Sequence, residues 1–131
     1  MPRGTAGRIG LFSVVFTVLT ACAPPQPSCR EPATLPVVDA FSATASQMEA
    51  MHDRVVKYRD ANDAYQGCLV KAINAYVRNP PFSRKYFSWI YDDHYVETLE
   101  LRKHASQQAK EDVVGKFNDA VKAYNDLHPD E

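Results

Sequence analysis

The chain has 131 residues, with 15 lysines and arginines against 16 aspartates and glutamates, and a formal net charge of −1. This length predicts at most one domain, and the balanced charge excludes a general nucleic-acid binder, which carries a basic excess. An apolar N-terminal run and a proline-rich stretch occupy the first third of the chain. About 90 residues are left, which is enough for a small core and too few for a deep enzyme pocket.

Residues 1–21 have the organisation of an export signal. Arg3 and Arg8 precede an apolar run over 9–19 that contains only one serine and one threonine as polar members. A charged start followed by a short apolar segment is typical of secretory signal peptides, whereas a membrane-spanning helix needs about 20 residues. We therefore expect this segment to direct export from the cytoplasm.

The apolar run ends in Leu19-Thr20-Ala21-Cys22. This tetrapeptide resembles the lipobox of bacterial lipoproteins, in which an aliphatic residue and two small residues precede a cysteine. The resemblance implies cleavage before Cys22, a diacylglycerol thioether on its sulfur and an acyl group on its new amine. Several lipid chains hold a protein firmly on a membrane, and Ala23 at the next position implies sorting to the outer membrane. Ordinary secretion and a retained signal anchor stay open as alternatives.

Residues 22–43 are predicted to form an extended tether. The segment contains five prolines, which favour polyproline-like backbone and prevent a continuous helix: Pro24, Pro25, Pro27, Pro32 and Pro36. After them, Pro80 and Pro81 separate two long proline-free stretches, 37–79 and 82–128. This distribution predicts two long helices with one break between them.

The first helix is predicted over about 44–78. Two capping boxes fit its start, Thr44 with Gln47 and Ser46 with Glu49. Nine residues then recur at alternating spacings of three and four, which is typical of a coiled-coil seam: Met48, Met51, Val55, Tyr58, Asn62, Tyr65, Leu69, Ala72 and Tyr76. Four further apolar residues are expected to widen this stripe: Val56, Val70, Ile73 and Val77.

The second helix is predicted over about 92–127, with Asp92 or Asp93 as its N-cap. Its seam residues keep heptad spacing, although the polar middle of the seam leaves a register shift open: Val96, Leu99, Lys103, Ser106, Lys110, Val113, Phe117, Ala120, Tyr124 and Leu127. Two helices of equal length with a short connection favour an antiparallel hairpin. The fold class is therefore all-α, with residues 44–131 as the helical hairpin domain.

Asn62 is the polar residue within the first seam. A buried amide in an apolar seam fixes the helix register when it finds a hydrogen-bond partner. The alternative is that a seam of only two helices is partly open and that Asn62 is hydrated. The sequence leaves both interpretations open.

Two cysteines remain once Cys22 carries lipid, Cys29 and Cys68. An even pair outside the cytoplasm indicates a disulfide. Residues 29–44 extend over roughly 50 Å, and a helix over 44–68 rises about 36 Å, so the tether reaches back to Cys68. Four apolar tether residues are then expected to cover the hairpin as a third layer: Leu35, Val37, Val38 and Phe41.

A set of these positions resembles a group of small exported proteins of Gram-negative bacteria: Cys29 and the prolines after it, Met48, Tyr58, Tyr65 and Cys68, then Phe117-Asn118 and Tyr124. The resemblance covers about 29–75 and 100–125. This chain departs from the group by its lipobox and by the aromatic residues between its helices. The resemblance implies the helical fold and the Cys29–Cys68 disulfide, and it implies no activity.

Catalytic and metal-binding motifs are absent from the sequence. Asp92-Asp93-His94 with Glu97 is the only local cluster of metal-ligand types, and we interpret it as a helix start with a solvated histidine, because a metal site needs three or four supported ligands. No glycine-rich phosphate loop, nucleophile elbow or zinc-protease motif occurs. We expect no enzyme, no catalytic residue, no cofactor and no metal.

The connection between the helices is the best candidate for contact with a partner. Six large apolar side chains fall within ten residues: Phe82, Tyr86, Phe87, Trp89, Ile90 and Tyr91. Arg84 and Lys85 lie among them, and aromatic residues with arginine typify binding hot spots. Either these rings cap the tip of the hairpin, or they contact an envelope protein or a second copy of the chain.

The leading functional hypothesis is a lipid-anchored, non-catalytic envelope protein on the periplasmic side of the outer membrane, acting as a structural or protein-interaction module. The alternative is an envelope module that binds a small ligand or a metal ion. Nucleic acid is not an expected partner, because removal of Arg3 and Arg8 leaves 13 basic residues against 16 acidic ones, and nucleic-acid binding needs cations that neutralise phosphates.

Overall fold

The computed structural model of the protein describes residues 26–80 and 94–129. Two α-helices of 34 residues each account for most of these ranges, α1 over Ala45–Arg78 and α2 over His94–Leu127. No strand is present in the described residues. The all-α class and both predicted helices are confirmed.

The start and end of α1 follow from local hydrogen bonding. The Thr44 hydroxyl accepts a hydrogen bond from the Gln47 backbone N–H at 3.3 Å, and the Gln47 side-chain oxygen accepts one from the Thr44 N–H at 2.8 Å. This reciprocal pair satisfies two N–H groups that the first turn leaves without helical partners. At the other end the Asn79 N–H still donates to Ala75 at 3.0 Å, and Pro80 has no N–H with which to continue.

The two helices pack along the predicted seam. Every buried residue of α1 belongs to the predicted heptad: Met48, Met51, Val55, Tyr58, Asn62, Tyr65 and Leu69. The buried residues of α2 are also predicted seam positions: Leu99, Ser106, Val113 and Phe117. Leu69 near the end of α1 clusters with Leu99 near the start of α2, and Met51 clusters with Phe117. The helices are therefore antiparallel, as expected for a hairpin.

The seam of α2 keeps one register through its polar middle. Leu99, Ser106 and Val113 are all buried and follow one another at intervals of seven residues. Lys103 and Lys110 between them are half-buried, because a lysine stem can line an apolar seam while its ammonium group reaches the edge. The register shift that the sequence left open does not occur.

Three apolar residues expected in or beside the seam are solvent-exposed. Leu127 is 49% exposed in the last turn of α2, and on α1 Val70 is 39% and Val77 56% exposed. Val70 and Val77 each follow a seam position by one residue, which turns their side chains about 100° away from the partner helix. With only two helices, no further element in the described part of the chain packs on that side. The expectation that these two valines widen the stripe is wrong, whereas Val56 is half-buried and Ile73 packs against buried seam residues.

The interior divides into two clusters at opposite ends of the hairpin. We call the cluster that is more distant from Cys29 and Cys68 the far cluster. It contains six buried side chains: Met48, Met51, Val55, Tyr58, Val113 and Phe117. We call the cluster beside Cys68 the clamped cluster. It contains three buried side chains: Tyr65, Leu69 and Leu99. Cys29 packs against the clamped cluster. Asn62 and Ser106, both buried, lie between the two clusters in the seam.

The tether returns along the hairpin and supplies a third layer at the far cluster. Three of the four tether residues predicted to do so pack there: Leu35, Val37 and Val38. Phe41 does not, since it is 79% exposed while Ala40 is 5% exposed. The carboxylate of Asp39 accepts a hydrogen bond from the Phe41 N–H at 3.1 Å, and its carbonyl accepts one from the Ser42 N–H at 3.2 Å. This aspartate turn lies at the end of the tether, just before α1, and the Phe41 side chain extends from it into solvent.

Ion pairs one helical turn apart line the outer surface of α2. Lys116 lies 2.7 Å from Asp112, and Lys122 lies 2.8 Å from Asp126. The hydrogen bond to Asp126 and the negative charge of that carboxylate raise the pKa of Lys122 above its usual value of 10.5. Exposed pairs of this kind add little to stability, so the helix depends mainly on its buried seam.

Candidate functional site

A disulfide joins Cys29 to Cys68, whose Cα atoms lie 5.7 Å apart although the two residues are 39 positions apart in the sequence. The predicted pairing is confirmed. Cys68 precedes the fully buried Leu69 in α1, and Cys29 packs against the same cluster. The bond therefore fixes the beginning of the described tether to α1 beside the clamped cluster, and residues 30–43 return from there to the start of α1.

The middle of the seam contains a polar bridge formed by Asn62, Gln66, Ser106 and Gln107. The Asn62 amide donates to the Tyr58 carbonyl at 2.8 Å, and its oxygen accepts from the Ser106 hydroxyl at 2.8 Å. The Gln66 amide donates to the Ser106 hydroxyl at 3.3 Å and to the Gln107 side-chain oxygen at 3.2 Å. Asn62 is 2% exposed, so the interpretation of a buried, partnered amide holds and that of a hydrated one is wrong.

Two further contacts cross between the helices at the edges of the seam. Arg102 Nε donates to the Tyr65 hydroxyl at 2.9 Å, with its guanidinium 5.6 Å from the centre of that ring. Lys110 Nζ lies 2.6 Å from an Asp63 carboxylate oxygen. Sequence reasoning missed these pairs and the glutamines of the polar bridge. Several of these residues directly flank seam positions, where helix-to-helix polar pairs form in coiled coils.

An open groove of about 380 Å³ lies between the helices near the polar bridge, lined by Arg59, Lys110, Glu111, Val114, Gly115 and Asn118. Its two cations already have acidic neighbours, since Arg59 lies 3.1 Å from Asp60 and Lys110 is paired with Asp63. Four of the six lining residues are exposed, whereas ligand pockets enclose most of a bound molecule. The groove does not favour a small-molecule site.

The C-terminal half of α1 carries an exposed surface that lacks acidic side chains. Residues 64–79 contain no aspartate or glutamate. Four exposed residues form what we call the outer stripe: Val70, Lys71, Val77 and Arg78. The two valines are seven residues apart, as are the two cations, so each pair lies on one side of the helix. The stripe is both apolar and cationic.

The other predicted site residues fall as follows. Cys22, Asp92 and Asp93 lie outside the described residues. So do the six large apolar residues between the helices: Phe82, Tyr86, Phe87, Trp89, Ile90 and Tyr91. His94 Nδ1 lies 3.4 Å from a carboxylate oxygen of Glu97, with both side chains largely exposed. Among residues 26–80 and 94–129, no three histidine, cysteine or acidic side chains are grouped to hold a metal ion.

The fold and this set of contacts define a disulfide-clamped two-helix hairpin with an extended N-terminal arm. The chain matches no protein-family model, no curated protein and no solved structure. Neither helix combines the length and apolar content needed to cross a membrane, as judged over the described ranges. The disulfide is compatible with an exported protein, because such bonds persist in oxidising compartments.

Proposed function

We propose that this protein is a bacterial lipoprotein, anchored through acylated Cys22 to the periplasmic side of the outer membrane, and that it acts as a non-catalytic structural or protein-interaction module. One observation carries the proposal. The chain has three cysteines, and the disulfide takes up Cys29 and Cys68. Cys22 is left, and it directly follows an apolar signal segment in a lipobox-like sequence.

The interaction role is supported by the small interior of the molecule. In the described ranges its two clusters hold nine buried side chains, and the groove between the helices is open to solvent. A fold of this kind presents surfaces and does not enclose substrates. We assign the partner contact to the six apolar residues of 82–91, because clusters of aromatic residues with nearby arginine typify interaction sites. The partner is an envelope protein or a second copy of the chain.

Replacement of Cys22 tests the anchor. In Cys22→Ser the lipid-accepting thiol is absent, so we expect an unprocessed precursor and loss of the mature protein from the outer membrane, measured by fractionation and intact mass. The matched control is the double variant Cys29→Ser, Cys68→Ser, which should still be acylated and sorted. A wild-type mature protein that begins after Cys22 and has no acyl mass would overturn the proposal.

Replacement of two central rings tests the interaction segment. In the double variant Phe87→Ala, Trp89→Ala we expect an unchanged melting temperature and loss of crosslinked species in intact cells. Phe41→Ala is the control, because Phe41 is an exposed ring elsewhere on the molecule, and it should keep the crosslinks. If the double variant melts well below wild type with its crosslinks intact, the segment is part of the core and is not a contact site.

A further inference from the structure

The disulfide determines which end of the hairpin lies near the lipid anchor. This inference rests on the proposed acylation of Cys22. Six residues separate Cys22 from Cys29, so the chain between the anchor and the disulfide spans at most about 25 Å. Because Cys29 is bonded to Cys68 in α1, the position of Cys68 on the helix limits every orientation of the domain at the membrane.

The two ends of α1 are not equivalent with respect to this limit. Arg78 is ten residues beyond Cys68, about 15 Å along the helix axis. Ala45 is 23 residues before Cys68, about 35 Å along the same axis. If the hairpin stood on its Ala45 end, Cys68 would lie farther from the bilayer than the tether can reach. The Arg78 end, by contrast, can touch the surface without straining the chain.

The end that can reach the membrane also carries the outer stripe. Val70 and Val77 are 39% and 56% exposed, and Lys71 and Arg78 are exposed beside them. An apolar row next to a cationic row is the arrangement of helices that lie in a headgroup interface, where the apolar side chains insert and the cations meet phosphates.

The acidic residues at this end of the hairpin do not cancel that character. Among the described residues they are Glu97 and Glu100 in the first turns of α2 and Glu31, two residues after Cys29. Glu100 is paired with Lys103, and Glu97 lies 3.4 Å from His94 Nδ1. The nearest part of α1, residues 64–79, has no acidic side chain. The cations of the outer stripe therefore have no carboxylate on their own stretch of helix, which favours an anionic surface as their counterpart.

We propose that the outer stripe of Val70, Lys71, Val77 and Arg78 docks on the anionic phospholipid surface that carries the anchor. The hairpin then holds its Arg78 end against the bilayer and its Ala45 end away from it. The disulfide keeps the Arg78 end near the membrane, and the outer stripe determines which face of α1 contacts the lipid.

The test uses the mature chain from Cys22, which keeps the whole described fold because that fold begins at residue 26. Cys29 and Cys68 are joined in the disulfide, so the Cys22 thiol can be coupled to a maleimide-bearing phospholipid in vesicles of phosphatidylethanolamine and phosphatidylglycerol. The photoreactive residue p-benzoylphenylalanine replaces Val77 in one sample and Leu127 in the control. The two positions are similarly exposed, at 56% and 49%, and lie at opposite ends of the hairpin.

We expect several-fold more lipid adduct from position 77 than from position 127. The double variant Lys71→Glu, Arg78→Glu should lower the adduct at position 77 several-fold without changing the melting temperature. Equal lipid labelling at both positions would overturn the proposal, as would adducts at position 77 that consist of a second copy of the protein. Failure of natural acylation is detected separately, in the mass of the exported protein, because the chemical tether does not depend on it.

Discussion

The two ends of the hairpin are stabilised in different ways. The far cluster buries six side chains and receives four apolar residues of the tether. The clamped cluster buries three side chains and has the disulfide beside it. The covalent bond therefore lies where the apolar interior is smallest. Small domains often add such a bond when burial alone supplies little stability.

Chain connectivity explains why the tether needs a bond at only one end. Leu35, Val37 and Val38 precede the start of α1 by seven to ten residues, and the Asp39 turn directs the chain into the helix. Their distance from the far cluster is limited by this short connection. Cys29 contacts a helical position 39 residues away, so without the bond the first part of the tether would have only its own side-chain contacts to hold it.

Removal of the disulfide is expected to have the largest effect on stability. In Cys29→Ser, Cys68→Ser the unfolded chain regains the freedom of a loop of about 40 residues, which lowers the free energy of unfolding by about 4 kcal/mol. Urea unfolding measures this loss. Amide exchange should accelerate more around Leu69 than around Met51, and equal acceleration at both positions would show that the two ends are not distinct.

Truncation of one buried side chain in each cluster tests whether the stability of each end depends on the disulfide. Leu69 and Met51 are 0% and 1% exposed, and we expect Leu69→Ala and Met51→Ala each to cost about 3 kcal/mol with the disulfide present. Without the disulfide, the cost of Met51→Ala should be unchanged within about 0.5 kcal/mol. The cost of Leu69→Ala should change by more than that, because Leu69 adjoins Cys68. Equal coupling for both variants in a double-mutant cycle would contradict the account.

The polar bridge between the clusters predicts a smaller effect. Asn62→Ala removes the hydrogen-bond acceptor of the buried Ser106 hydroxyl and should cost about 2 kcal/mol. The double variant Asn62→Leu, Ser106→Ala leaves neither partner unsatisfied, so it should recover most of this loss. Asn74→Ala is the control on the exposed side of α1. An Asn62→Ala variant as stable as wild type in urea would mean that the bridge does not contribute.

The smallest predicted effect is at the first turn of α1. Thr44→Ala removes the capping hydroxyl and should cost about 1 kcal/mol. Ser46→Ala, at the other capping position that the sequence allowed, should change the free energy of unfolding by no more than about a few tenths of a kcal/mol, because Ser46 is already inside the helix. Thermal unfolding of the two variants measures the difference in stability. A larger loss in Ser46→Ala than in Thr44→Ala would show that Ser46, and not Thr44, caps the helix.

The helices and their contact line follow from the sequence because heptad spacing fixes which side chains share a face. Met48 to Leu69 and Leu99 to Phe117 are buried where the pattern predicts. The same pattern misplaces Val70 and Val77, because these two side chains point away from the partner helix and no third helix of the described residues covers them. It misplaces Phe41 because the orientation of a turn residue depends on the hydrogen bonds of Asp39.

The contacts of the candidate site, like the buried positions, could be predicted from the sequence only in part. The Cys29–Cys68 pair could be predicted because cysteine parity and chain length left one reachable partner. The polar bridge could be predicted only at Asn62, which interrupts an apolar row. Gln66 and Gln107, the other polar side chains of the bridge, are polar residues on polar flanks, and their pairing depends on the register between the helices. The outer stripe emerged only when the structure showed which apolar residues stay in solvent.

The central claim is that one lipidated cysteine and one disulfide together determine how the hairpin is held at the membrane. A tryptic digest of the exported protein without reduction tests both bonds at once, because cleavage at Arg30, Arg59 and Lys71 leaves all three cysteines in two peptides. We expect a single linked species in which acylated 22–30 is joined to 60–71. Recovery of 60–71 with a free thiol, or of an N-terminal peptide without acyl mass, would contradict it.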